Sequence, residues 1–135
     1  MNSGAFEPGD TLVVIDEDAE RRALLAGQLI GPRRRVLTSS TWEALSLLSS
    51  TGADVAVAAI RTRSGAGFEL LRKMRASATE VEAIVVTDAA DDSLVLDCLR
   101  HGAVDVLELP RDAGRLQLTV ELALERRRLV ETEAL

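Results

Sequence analysis

The side chains best placed to do chemistry in this chain sit directly after short apolar runs. Asp16 and Glu17, with Asp18 behind them, follow Thr11–Ile15. Thr87 and Asp88 close the run that begins at Ala83, and Glu108 with Leu109 follows Val104–Leu107. Between these, Val55–Ile60 ends on Ala59 and Ile60, which bring no functional group. Grouped carboxylates can hold a hard divalent cation. The same acids can also be exposed strand-end residues, with Asp18 capping the helix that follows; the second reading is favoured here for Asp16, Glu17 and Asp18.

Other chemistries are excluded by residue type. One cysteine, Cys98, rules out an internal disulfide framework and a cysteine-built zinc site. One histidine, His101, argues against a histidine-ligated metal. Three aromatics (Phe6, Trp42 and Phe68) cannot make a base-stacking platform, and the net charge of −6 opposes a phosphate-backbone binder. The expectation is no direct nucleic-acid binding. The opening residues lack the basic start and apolar run of a secretory leader, and the apolar runs are far too short for a bilayer. A cytoplasmic protein without a membrane partner is expected.

The elements that position these residues alternate. At 135 residues and 47% hydrophobic, the chain has material for one core. Residues 1–10 read as a flexible lead-in. Strands are expected at Thr11–Ile15, Val36–Thr38, Val55–Ile60, Ala83–Thr87 and Val104–Leu107. Helices are expected at Ala19–Ile30, after a capping-box pattern Ser40-Thr41-Trp42-Glu43, at Phe68–Ala76, at Leu94–His101, and from Gly114 or Arg115 onward. Trp42 is expected to pack at the start of the second helix. Five strands alternating with five helices predict a doubly wound parallel sheet with helices on both faces. Such sheets bind ligands beyond the carboxyl ends of their strands. The domain is placed at 11–130, with 131–135 its C-terminal end or the start of a linker.

At that edge the chain resembles the receiver domain of bacterial two-component response regulators over roughly residues 11–130. The resemblance is carried by Ile15-Asp16-Glu17-Asp18, Ala53-Asp54-Val55, Gly67-Phe68-Glu69-Leu70-Leu71, Ile84-Val85-Val86-Thr87, Arg100-His101-Gly102-Ala103, Asp105 and Pro110. It implies a flavodoxin-like fold with strand order 2-1-3-4-5. It also implies a phosphorylation site: an acidic pair (here Asp16 and Glu17) holding Mg²⁺, an aspartate ending the third strand, a Ser/Thr (here Thr87), and a lysine after the fifth strand. Carboxylate nucleophile, cation and positive charge are what phosphoryl transfer demands.

Two members of that set are absent. The aspartate position falls on Ala59 and the lysine position on Leu109. Val106 stands where many receivers carry a switch Tyr or Phe, and the loop after the third strand lacks the usual proline. The joint loss predicts a degenerate site (Asp16, Glu17, Ala59, Thr87, Leu109), with Asp16 and Glu17 only residual metal candidates, Thr87 and Val106 at the switch positions, no cofactor and no enzymatic activity. The expected function is a phosphorylation-independent pseudo-receiver in transcription control, acting by dimerisation or partner docking. Two alternatives are a phosphoacceptor using another carboxylate (Asp16 or Asp88) and a small-molecule sensor in the vacated pocket.

The last helix carries two apolar stripes. Leu116, Val120, Ala123, Leu124 and Val130 should face the sheet. Leu118, Leu122 and Leu129 lie roughly opposite, and a monomeric domain should not expose such a stripe. With the resemblance, this predicts a homodimer through the face of the fourth helix, fifth strand and fifth helix; cover by a downstream output domain is the alternative. Arg33-Arg34-Arg35 reads as a solvated turn. Cys98 reads as a small buried hydrophobe, and His101 as a helix-end residue.

Overall fold

The computed structural model describes the backbone of residues 9–77 and 80–134, and side chains as far as Val130. Five parallel strands alternate with five helices. The elements are β1 (Asp10–Ile15), α1 (Ala19–Gly27), β2 (Arg34–Ser39), α2 (Ala44–Thr51), β3 (Val55–Ala59), α3 (Ala66–Ala76), β4 (Glu82–Thr87), α4 (Asp92–Arg100), β5 (Ala103–Glu108) and α5 (Leu116–Ala134). The strand order is β2-β1-β3-β4-β5. This is the doubly wound arrangement that the alternation predicts. Most of the expected lead-in, residues 1–8, lies outside the described residues, and Asp10 already belongs to β1. Among the described residues no helix is long and apolar enough to cross a membrane.

The sheet divides two apolar layers by the two-residue period of its strands. Val13, Ile15, Ala56, Ala58, Ala83 and Val85 face α2, α3 and α4, where they meet Leu48, Leu71 and Cys98. Leu12, Val14, Val55, Val57, Ala59, Ile84 and Val86 face α1 and α5, where they meet Leu25, Leu29, Val120 and Leu124. Every residue of β3 is buried, as expected for a central strand covered on both sides.

Local signals set most boundaries. Asp18 caps α1, its carboxylate accepting from the Arg21 amide at 2.9 Å, and Asp91 caps α4 through the Leu94 amide at 2.7 Å. Gly102 ends the segment after α4 with φ of +99°, a conformation that favours glycine. At Gly67 the reason for glycine is space. A Cβ there would lie 2.4 Å from the Ala59 carbonyl oxygen, so only glycine lets α3 start this close to the end of β3.

Five expectations need correction. Helix α1 stops at Gly27 rather than Ile30, and Ile30 is 72% exposed. Trp42 lies in the turn before α2 but is 83% exposed, so it does not pack there. The Ser40–Glu43 pair closes that turn (Ser40 Oγ to Glu43 Oε1 3.1 Å) one step before the helix, which begins at Ala44 without a side-chain cap. Val130 is exposed and not on the sheet-facing stripe. The Arg33–Arg35 run is also not simply solvated. The Arg34 guanidinium reaches the Leu29 carbonyl at 2.9 Å and pairs with Glu121, tying the start of β2 to α5.

Adjacent leucines on α1 test this layering. Leu25 is 7% exposed and Leu24 is 66% exposed. Leu25→Ala is expected to destabilise by about 2–4 kcal/mol, as for a buried leucine truncation. Leu24→Ala should stay within about 0.5 kcal/mol of wild type. Urea unfolding of the two variants checks this.

Candidate functional site

The carboxyl ends of β1, β3, β4 and β5 converge, and the loops that leave them build the site. Asp16 follows β1. Its backbone stays in register, the amide donating to the Ser39 carbonyl at 3.2 Å, so its side chain is held at the sheet edge. Contrary to the expectation of an exposed strand-end acid, Asp16 is 3% exposed, because the arginines of α1 and of the loop after β3 close over it. Its carboxylate accepts from Arg21 Nε and Nη2, both at 3.2 Å, and from the Asp18 amide at 3.0 Å. Arg61, just past β3, adds an ion pair at 3.5 Å through Nη2. Arg22 holds the Asp16 main-chain carbonyl at 2.9 Å.

Opposing effects act on that carboxyl. Burial is the largest and pushes its pKa up. The Arg21 and Asp18 hydrogen bonds and the charges of Arg61 and Arg21 outweigh it, and the net pKa lies below the ordinary 3.8. Asp16 is therefore an ionised carboxylate already provided with positive charge by the chain.

Arg61 also reaches across the edge. Its Nε lies 3.5 Å from the Asp88 carboxylate after β4. Thr87, 4% exposed, accepts the Ala89 amide on its hydroxyl at 3.3 Å. The Leu109 amide donates to the Thr87 carbonyl at 2.8 Å, which brings the residue after β5 beside the end of β4. The Leu109–Pro110 peptide is cis. Ala59, the last residue of β3, is 9% exposed and belongs to the apolar layer under α1 and α5; Leu109 packs against the same layer. Val106 packs instead against the layer under α4. The structure thus brings Asp16, Ala59, Thr87 and Leu109 to one edge, whereas the Glu17 side chain is exposed.

After β5, Asp112 fixes the turn. Its carboxylate accepts the Glu108 amide at 2.8 Å and the Arg111 guanidinium at 3.2 and 2.9 Å. The Arg111 hydrogen bond, then the Glu108 amide, lower its pKa to about 2. The Glu108 side chain accepts the Ala90 amide at 3.1 Å, linking this turn to the loop after β4. Cys98 is fully buried, and burial raises its thiol to about 11.

The family profile described as the response regulator receiver domain matches residues 12–121. This chain belongs to that family. Among curated relatives, it is 32% identical over 128 residues to the C4-dicarboxylate transport transcriptional regulatory protein DctD of Pseudomonas aeruginosa, covering 93% of this chain and 27% of that protein. It is 28% identical over 122 residues to the transcriptional regulatory protein ZraR of Klebsiella oxytoca, covering 90% of this chain and 28% of that one. The chain thus spans about a quarter of these relatives' length. Among solved structures, a signal receiver domain from Vibrio parahaemolyticus attributed to a LuxO repressor superposes with TM-score 0.82 at 17% identity, covering 92% of this chain and 96% of that one. At that identity the likeness speaks for the fold.

Membership in the family raises the question of Mg²⁺. The donor set does not fit it. The Ala59 side chain offers no oxygen, the Glu17 side chain is exposed, and the Asp16 oxygens are committed to Arg21, Arg61 and the Asp18 amide. Among the described residues no group of three His, Cys, Asp or Glu side chains is arranged to hold a metal.

Sequence reasoning placed the edge correctly but missed the arginines that govern it. Arg21 and Arg61 are five and 45 residues from Asp16. The available signal was a basic residue directly after β3 in a chain whose fifth-strand position is leucine.

The depressed carboxyls give a pH prediction. A lowered folded-state pKa contributes stability above the unfolded value, and this is lost as pH falls through the folded one. Asp16 and Asp112 should therefore help hold the domain at neutral pH and weaken it as pH drops below about 4. In Arg21→Ala the Asp16 titration should move upward, because burial then acts against fewer countercharges. Carbon-13 NMR titration of the aspartate carboxyls reads this directly.

Proposed function

We propose that this chain is a pseudo-receiver, the signalling module of a transcriptional regulator that works without accepting a phosphoryl group and acts by self-association. The observation that carries this is Ala59 together with Leu109. A phosphoaspartate needs a carboxylate oxygen as nucleophile and positive charge on the transferred oxygens. A methyl group and an isobutyl group, both in the apolar layer under α1 and α5, supply neither.

The remaining carboxylates are poor substitutes. Asp16 is buried and its oxygens are engaged. Asp88 is exposed and paired with Arg61. Thr87 and Val106, at the switch positions, have local partners and no phosphoryl oxygen to follow. The domain therefore holds a single state set by its sequence, or one biased by a protein partner. Enzymatic turnover is not part of this reading, nor is a cofactor.

The apolar surface beside β5 supports self-association. Leu96 and Leu99 on α4 are 46% and 43% exposed, Val104 on β5 is 37% exposed, and Leu118, Leu122 and Leu129 on α5 are 55–60% exposed. The α5 leucines follow spacings of four and seven, which suit a partner helix. The edge strand β5 lies between α4 on one face of the sheet and α5 on the other. Because the regulators it resembles are several times longer, a downstream output domain is the natural recipient of the signal.

Two measurements test this. Incubation with acetyl phosphate and Mg²⁺ should leave no acid-labile phosphate on the wild type. Ala59→Asp alone should also stay essentially unlabelled, because Leu109 still lacks charge; strong wild-type labelling overturns the reading. In light scattering the wild type should weigh about twice the 14.5 kDa of one chain. Leu118→Glu with Leu122→Glu should give a folded monomer. A monomeric wild type at high concentration would transfer the exposed face to another protein or to a downstream domain.

A further inference from the structure

We propose that Arg61 and Arg63 form a built-in latch, in which two guanidinium groups of the loop leaving β3 hold α4 and the ends of β1 and β4 in one arrangement by charge carried on the chain itself. The inference rests on the reading of the domain as one that works without phosphoryl transfer, for which a fixed α4 is the expected arrangement.

The loop between β3 and α3 is short, and its two arginines point to different elements. Arg61 bridges Asp16 after β1 and Asp88 after β4, both at 3.5 Å. Arg63 crosses to α4. Its Nη1 lies 2.9 Å from the Asp97 carboxylate, and its Nη2 donates to the Ser93 hydroxyl at 2.7 Å. Ser93 and Asp97 are one helical turn apart on the same face, so one planar fork engages both. Asp97 is only 24% exposed at its side chain.

Magnitude decides whether this matters. A single exposed ion pair contributes little, and Arg63 is half exposed. Besides this tie, α4 is held by its buried side chains and by Arg75, whose guanidinium donates to the Arg100 carbonyl at 3.1 Å. Leu94 and Cys98 are the buried residues of α4, whereas Leu96 and Leu99 face outward. The Arg63 fork adds a polar tie to that short apolar seam, and its contribution is read as a local change in the opening of α4. Arg61 and Arg63 are two residues apart, so the tie on α4 and the pairs at the sheet edge leave from one loop. Both are positioning residues. They hold the helix that carries part of the apolar face and belong to no reaction.

Hydrogen exchange on the full chain tests the latch, with wild type compared to Arg63→Ala, Arg61→Ala/Arg63→Ala and Arg63→Lys. Amide protection across residues 94–100 is expected to fall by about fivefold in the double variant, the scale of a partly exposed charge network. Protection in β1 and β3 should hold. Arg63→Lys should be intermediate, because an ammonium can meet Asp97 but cannot fork to Ser93. Excess Mg²⁺ should leave the wild type unchanged. Unchanged protection of 94–100 in the double variant, or added protection of wild-type α4 by Mg²⁺, overturns the latch. If the double variant fails to fold, Ser93→Ala/Asp97→Asn removes the same tie from the α4 side and is read identically. Phosphate labelling of the wild type would instead overturn the phosphorylation-free reading, so the two failures are separable.

Discussion

A carboxylate taken almost wholly out of water stays ionised only if something in the fold neutralises it, and in this domain that requirement falls on Asp16. The parallel sheet places Asp16 at its carboxyl edge and closes protein around it. Desolvation alone would push its proton affinity up. Arg21 from the first turns of α1 and Arg61 from the end of β3 reverse that outcome. The edge is thereby settled within the polypeptide. Because Arg61 also faces Asp88, the same charge ties the loop after β4 to the loop after β3. The Asp16 carboxylate is thus neutralised by groups of the chain itself.

The apolar half of the edge follows from the same constraint. With two guanidinium groups present, a further cation at position 109 would have had no carboxylate at position 59 to meet. A buried, poorly paired charge is costly, whereas an apolar side chain of similar size is tolerated. Ala59 and Leu109 instead join the layer that α1 and α5 cover. Arginine–aspartate pairs line the β1, β3 and β4 ends; on the β5 side Leu109 packs against the apolar layer while Arg111 and Asp112 pair in the turn that follows.

Much of this fold was legible before any coordinates, and the reason is periodicity. Val55–Ala59 reads as a strand covered on both faces because every residue in it is small or β-branched and apolar. Asp18 reads as a cap because it precedes a helical pattern, and its carboxylate does cap. What could not be read are pairings that topology creates. Arg34 looks like one of three arginines in a turn, yet its side chain is buried against α5 through Glu121, 87 residues away. Arg63 looks like a loop residue, and only the strand order β3-β4-β5 brings Ser93 and Asp97 beneath it. Trp42 misled in the opposite direction. A lone large aromatic near a helix start suggests packing, but the turn carries it outward while Ala44 and Leu48 fill the space beneath α2.

The two features that stand out on the surface belong together physically. The α4 helix buries Leu94 and Cys98, and the face it shares with β5 and α5 exposes leucines and valine. A weakly anchored helix would make a poor half of an interface, because binding would first have to order it. In the self-association proposed above, ties from Arg63 to Ser93 and Asp97 would lower that ordering cost in advance, from the loop that carries the countercharge of Asp16. The charge pairs at the sheet edge and the tie on α4 thus leave from one loop, the segment between β3 and α3.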